Sequence, residues 1–140
     1  MRPRAAVRQE LFGVLESALS VPVVVQRQPK DAGAPLVMIE PPPVVSRGDI
    51  KRDTGHSFEQ TIRVHTRYPK GKADVGRRDE IEADVIGALN AATLDPTDHR
   101  IVDWPEEPDD STPQTYEAGG QQAYDLVLTY DIDTQIKATI

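Results

Sequence analysis

Cysteine is absent from this sequence, which excludes a disulfide framework, a thiolate metal site and a cysteine nucleophile. Aromatic residues are few: two Phe, one Trp and four Tyr among 140 residues. With a hydrophobic fraction of 38%, the core is lean for the length. A lean core suits a chain that completes its burial by assembling with other copies. Long apolar runs are missing too. The longest, residues 21–25, is far too short to span a bilayer. Basic residues are in the minority, with 16 Lys and Arg against 23 Asp and Glu, a net charge of −7. A chain that holds nucleic acid usually shows the opposite balance, and an acidic surface also disfavours anionic membranes. The amino terminus is basic at first, but Glu10 and Glu16 interrupt any apolar stretch. No secretory signal is read there, and the chain is expected to be made and kept in a cytoplasm.

What is present is amphipathic patterning. Residues 3–19 have helical spacing, with Val7, Leu11, Val14, Leu15 and Ala18 in one stripe. Pro3 suits the first turn, and Val21 before Pro22 ends the helix. Residues 23–26 and 36–40 read as short strands, the second stopped by Pro41, Pro42 and Pro43. Residues 44–54 read as a polar, partly basic loop. From His56 to Tyr68 the pattern alternates: Phe58, Ile62 and Val64 on one face; Glu59, Thr61, Arg63, His65 and Arg67 on the other. A turn with Lys70, Gly71 and Lys72 leads into a helix over residues 73–92, striped by Ile81, Val85, Ala88, Leu89 and Ala92 and capped by Asp74. Residues 100–104 read as a strand. Residues 105–120, rich in Pro and acid, read as a flexible acidic loop. Residues 121–132 form a last alternating strand, with Tyr124, Leu126, Leu128, Tyr130 and Ile132 opposite Asp125, Val127, Thr129, Asp131 and Asp133. Twelve prolines and nine glycines fit few elements and long connections. The expected fold is a single α+β domain over 1–140 in two layers. About five strands form a mostly antiparallel or mixed sheet, with both helices on one face. A crossover through the second helix could make one strand pair parallel.

No catalytic motif emerges. His56, His65 and His99 have no metal-ligand spacing, and His65 is expected to be exposed on its polar strand face. Asp131 and Asp133 could face a hard cation, but no oxygen-rich loop accompanies them. Gly71-Lys72-Ala73 lacks the upstream glycine and the hydroxyl of a phosphate loop, and Ser46 and Ser111 sit in no nucleophile elbow. No metal or cofactor is expected. Charge patterning is more informative. Arg63, His65 and Arg67 on one strand would complement Asp125, Asp131 and Asp133 on another, either on neighbouring strands or across a subunit joint. Ordinary mixed surface charge is the plainer explanation.

These parts, in this order, resemble a known family. The strand PLVMIEP, the strand and turn FEQTIRVHTRYPKGK, the helix RRDEIEADVIGALN, the strand RIVDW and the closing AYDLVLTYDI resemble the tail terminator (tail completion) proteins of long, non-contractile-tailed phages. The similarity covers most of the chain, best over 55–133. It implies a structural, non-enzymatic virion protein at the head-proximal end of the tail, assembled in the host cytoplasm. Such proteins form a ring, typically a homohexamer, that caps the tail tube, stops tail polymerisation and offers a surface for the head. The implied partners are further copies of the chain, the major tail tube protein and a head–tail connector or neck protein. DNA would cross the lumen without specific binding, and no membrane is involved. Contact residues are then expected in loops and on polar strand faces: Arg47, Lys51, Arg52, Arg63, Arg67, Asp109 and Asp110. Other readings are a head-completion or neck protein, a small bacterial binding module with a ferredoxin-like sheet, and a small metal-dependent hydrolase using Asp131, Asp133 and a histidine.

Overall fold

The computed structural model describes residues 2–25, 33–40, 50–52 and 55–137. Along the chain these form α1 (Pro3–Ala18), β1 (Val23–Val25), β2 (Leu36–Glu40), β3 (Ile50–Arg52), β4 (Gly55–Tyr68), α2 (Val75–Ala91), β5 (His99–Val102), β6 (Asp110–Ala118) and β7 (Gln121–Ile136). Pro3 occupies the first turn of α1, and the Leu19 N–H closes its last turn on the Leu15 carbonyl. Asp74 caps α2, its carboxylate accepting a hydrogen bond from the Arg77 N–H at 3.2 Å. Neither helix is long and apolar enough to cross a membrane.

Two long strands organise the sheet. β4 and β7 pair antiparallel over fourteen positions, from Gly55↔Gln135 to Tyr68↔Gln122. On its other side β4 carries β2 and β3, both antiparallel. β7 carries β6 along its first half and β5 along its second, again antiparallel. β1 joins the edge of β2 in parallel. The sheet is therefore mixed and both helices lie on one face, as the patterning predicts. The parallel pair falls elsewhere than expected, however: α2 carries the chain across β7 to β5, so its crossover skips one strand, and β1–β2 supplies the parallel contact.

The period-2 alternation sorts side chains between two faces. On one face Phe58, Ile62 and Val64 of β4 meet Leu126, Leu128, Tyr130 and Ile132 of β7, with Val37 and Ile39 of β2. Val7, Leu11 and Leu15 of α1 and Ile81, Val85 and Leu89 of α2 close over them. The other face carries a small cluster of Leu36, Met38 and Val24 beside the polar positions of β4 and β7. Tyr130 stacks on Trp104 at 4.7 Å. Its buried hydroxyl has no hydrogen-bond partner among the described residues. Burial, reinforced by the charges of Glu82, Asp109 and Glu107, pushes that phenol up to about 12.

Two stretches expected to be loops contain strands. Within 44–54 lies β3, in a hairpin with the start of β4. Within 105–120 lies β6, nine residues long and exposed over most of its length. Gly119 and Gly120, both at positive φ (60° and 78°), form the two-residue turn that joins it to β7. Such turns need positive φ at both positions, which glycine adopts without strain. An edge strand buries little, so its composition can be as polar as a loop's while its backbone is satisfied by one neighbour.

Two stability measurements check this layout. Leu11→Ala, emptying a fully buried site between α1 and the sheet, is expected to cost about 2–5 kcal/mol in urea unfolding. Tyr130→Phe is expected to leave the melting temperature unchanged or higher, because it deletes a buried hydroxyl that has no partner. A loss of more than about 1 kcal/mol would show that the hydroxyl is engaged.

Candidate functional site

The face turned away from the helices carries the densest polar chemistry in the chain. Register explains why it gathers there. Gln114, Asp125, His65 and Leu36 lie in one line across β6, β7, β4 and β2, and Tyr116, Ala123 and Arg67 in the next. Ala123 is small, so Tyr116 and Arg67 can lean over it from either side toward the His65–Asp125 pair.

His65 and Asp125 are both fully buried, their side chains 0% exposed. Asp125 is saturated. Its Oδ1 lies 2.7 Å from His65 Nδ1, while Oδ2 accepts from the Tyr116 hydroxyl at 2.6 Å and from Arg63 Nη1 at 3.0 Å. Arg63 also pairs through Nε with the Glu40 carboxylate and through Nη1 with Gln114 Oε1 at 2.7 Å. Arg67 Nε donates to His65 Nε2 at 2.9 Å, and the Tyr116 ring stacks on the imidazole at 6.3 Å. Four strands thus contribute to one hydrogen-bonded set. Burial alone would raise the Asp125 carboxyl. The hydrogen bonds from His65 and Tyr116, the coulombic effect of His65 and the Arg63 contact outweigh it and hold the group below the ordinary carboxylate range. Burial, then the bond to Asp125, raises the Tyr116 phenol and keeps it protonated. Both imidazole nitrogens are occupied by protein groups, so His65 has no free nitrogen to act as a base toward a substrate.

The residues expected to make contacts fall into separate places. Arg63 and Arg67 belong to this set. Arg63 meets Asp125 on the neighbouring strand of the same chain, the first of the two arrangements that the charge pattern allowed, and Arg67 bonds to His65. His65, expected to be exposed, is buried: Arg67, Tyr116 and Asp125 surround a ring that strand alternation alone would place toward solvent. Asp109 and Asp110 lie apart from the network and are exposed. Asp109 accepts from the Asp131 N–H at 2.6 Å, and Asp110 from the Thr112 hydroxyl at 3.0 Å. Lys51 and Arg52 sit in β3, opposite His56 and Gly55. Arg47 lies outside the described residues. Glu40 and Tyr116 were not singled out by sequence: one ends a strand, the other sits in a stretch read as loop. The signal that could have found Tyr116 is Gly119-Gly120, a two-residue hairpin turn before an alternating strand.

Asp131 and Asp133 are exposed, and Glu59 stands directly across from Asp131. Partial burial, then Asp109 and Asp133 nearby, raises the Asp131 carboxyl. Among the described residues no group of three or more His, Cys, Asp or Glu side chains is placed to hold a metal ion. A cavity of about 530 Å³ opens elsewhere, walled by Val24 of β1, Leu36 of β2 and the apolar residues just before these strands, with Ser20 and Arg77. No model of a known protein family matches the chain, and no curated protein gives a significant match.

Asp125→Asn is expected to cost about 1–3 kcal/mol, since it removes the charge that His65, Tyr116 and Arg63 share while Glu40 still pairs with the guanidinium. Asp131→Asn is expected to be neutral or to stabilise by about 0.2–1 kcal/mol by relieving a like-charge pair. The sign with pH follows from the lowered Asp125 carboxyl. Its contribution is present above the ordinary value of 3.8 and is lost as pH falls through the lower folded value. Acid unfolding of the wild type, compared with Asp125→Asn, should show that this component of the acid limb disappears in the variant.

Proposed function

We propose that this chain is a structural virion protein of the tail terminator type. Its copies form a ring that caps a phage tail tube, stops its polymerisation and presents the docking surface for the head. It performs no catalysis and carries no cofactor. The observation that carries the reading is the arrangement of the segments that resemble the family. The alternating strand forms β4 and the Gly-Lys turn follows it, RRDEIEADVIGALN lies in α2, RIVDW contributes β5, and AYDLVLTYDI is the heart of β7. All belong to one helix-backed sheet.

Two physical features support it further. β6 presents an exposed edge, bonded to β7 on one side only among the described strands. Exposed edges suit the head-to-tail contacts from which closed rings are built. The excess of carboxylates would repel the phosphates of DNA crossing a lumen, so that DNA passes without being held. In this reading the partners are further copies of the chain, the tail tube protein and a neck protein, in the virion at the head-proximal end of the tail.

Purified protein, alone and mixed with major tail tube protein, should give closed rings, or caps on tubes, in negative-stain electron micrographs. A monomer that never associates with itself or with tube subunits would rule the reading out. Asp110→Lys alters an exposed position outside the buried network, whose carboxylate accepts only from the nearby Thr112 hydroxyl among the described contacts. It is expected to change stability by less than about 0.5 kcal/mol while disrupting ring or cap formation.

A further inference from the structure

We propose that His65 is a proton-operated latch that fastens the β6–β7 hairpin to β4. The geometry determines the protonation state of the ring. A guanidinium N–H can only donate, so the 2.9 Å contact from Arg67 Nε requires His65 Nε2 to be the unprotonated acceptor. The single ring proton then sits on Nδ1 and points at Asp125 Oδ1, 2.7 Å away. A second proton has only Nε2 to occupy. There it would set N–H against N–H, beside a side chain that is always charged. Protonation of His65 and its contact with Arg67 exclude one another.

The surrounding charges make this a local balance. From β4 the ring faces Arg63 and Arg67, which oppose a positive imidazole; from β7 it faces Asp125, which favours one. From β6 it faces the Tyr116 phenol, which stays neutral. β2 contributes Leu36 opposite the ring and Glu40 through Arg63. α2 packs on the other face, where Arg78 reaches only the Asp125 carbonyl, at 3.4 Å. Asp125 therefore retains an imidazolium, and Arg67 is the group displaced.

Arg67 also reaches the hairpin turn. Its Nη1 packs against Gly119 so closely that a Cβ built there would lie 3.3 Å from it. Tyr116, three residues before that glycine, leans on the same imidazole. When Arg67 leaves Nε2, the hairpin turn loses a support that the neutral ring keeps in place. A second proton on the ring would therefore open the latch while the helix-backed core stays folded. None of this depends on whether the chain builds a ring.

The test is backbone amide hydrogen exchange from pH 8 to pH 5, corrected for intrinsic rates, together with nitrogen NMR of the imidazole. At pH 8 the ring should be the Nδ1–H tautomer. As it gains its second proton, amides of residues 115–122 should lose protection by about tenfold, the effect of losing one charge-assisted hydrogen bond. Amides at the centre of β4 should not change. In Arg67→Gln, His65 should still titrate but the pH step at the hairpin should vanish, and in His65→Gln the hairpin should be insensitive to pH. An Nε2–H tautomer at pH 8, a ring that stays neutral at pH 5, or a hairpin whose protection ignores His65 protonation would each overturn the proposal. Arg67→Gln keeps the histidine in place, so the test stands even if His65→Gln does not fold.

Discussion

The fourteen-position ladder between β4 and β7 is the constraint on which the rest of this structure depends. Strand side chains alternate strictly, so one register decides at once which residues meet the helices and which meet each other on the reverse face. Phe58, Ile62 and Val64 opposite Ile132, Leu128 and Leu126 commit one face to α1 and α2. The same register sets His65 opposite Asp125. A slip by one residue would place charges under the helices and apolar residues around Arg63, so core and polar network enforce one alignment jointly.

The reverse face shows how a protein with few aromatics can still pack both sides of a sheet. Asp125 takes three hydrogen bonds, and Arg63 spans Glu40, Gln114 and Asp125. A buried polar set of this kind adds little net stability compared with apolar packing. It is, however, intolerant of partial loss, because each orphaned group keeps its full desolvation penalty. What it contributes is specificity: Tyr116 and Gln114 satisfy Asp125 and Arg63 only if β6 docks in one register.

Much of this was legible from residues alone. The stripes of α1 and α2, the Asp74 cap, the alternation of β4 and β7 and the helix-backed layering all follow from periodicities of 3.6 and 2. Less legible was what depends on which strands are neighbours. His65 looks solvent-facing in its own strand, and only the pairing of β4 with β7 and of β7 with β6 surrounds it. β6 was hidden for a related reason. Its residues, from Asp110 to Glu117, have the composition of a loop, because an exposed edge strand has no buried face to impose an apolar alternation. Glu40 reads as the end of a strand, and its role as partner of Arg63 arises from the β2–β4 register.

The topology has a consequence for the order in which the protein can be made. β7 lies between β4 on one side and β5 and β6 on the other, yet it is synthesised after all of them. Until it emerges from the ribosome, β5 and β6 have no strand to pair with and β4 has one bare edge. The lower half of the apolar face, from Leu126 to Ile132, is also missing. Folding is therefore expected to await the last strand, with non-local contacts formed late and together. A growing chain of this kind stays open along its centre line until the sheet is closed from within.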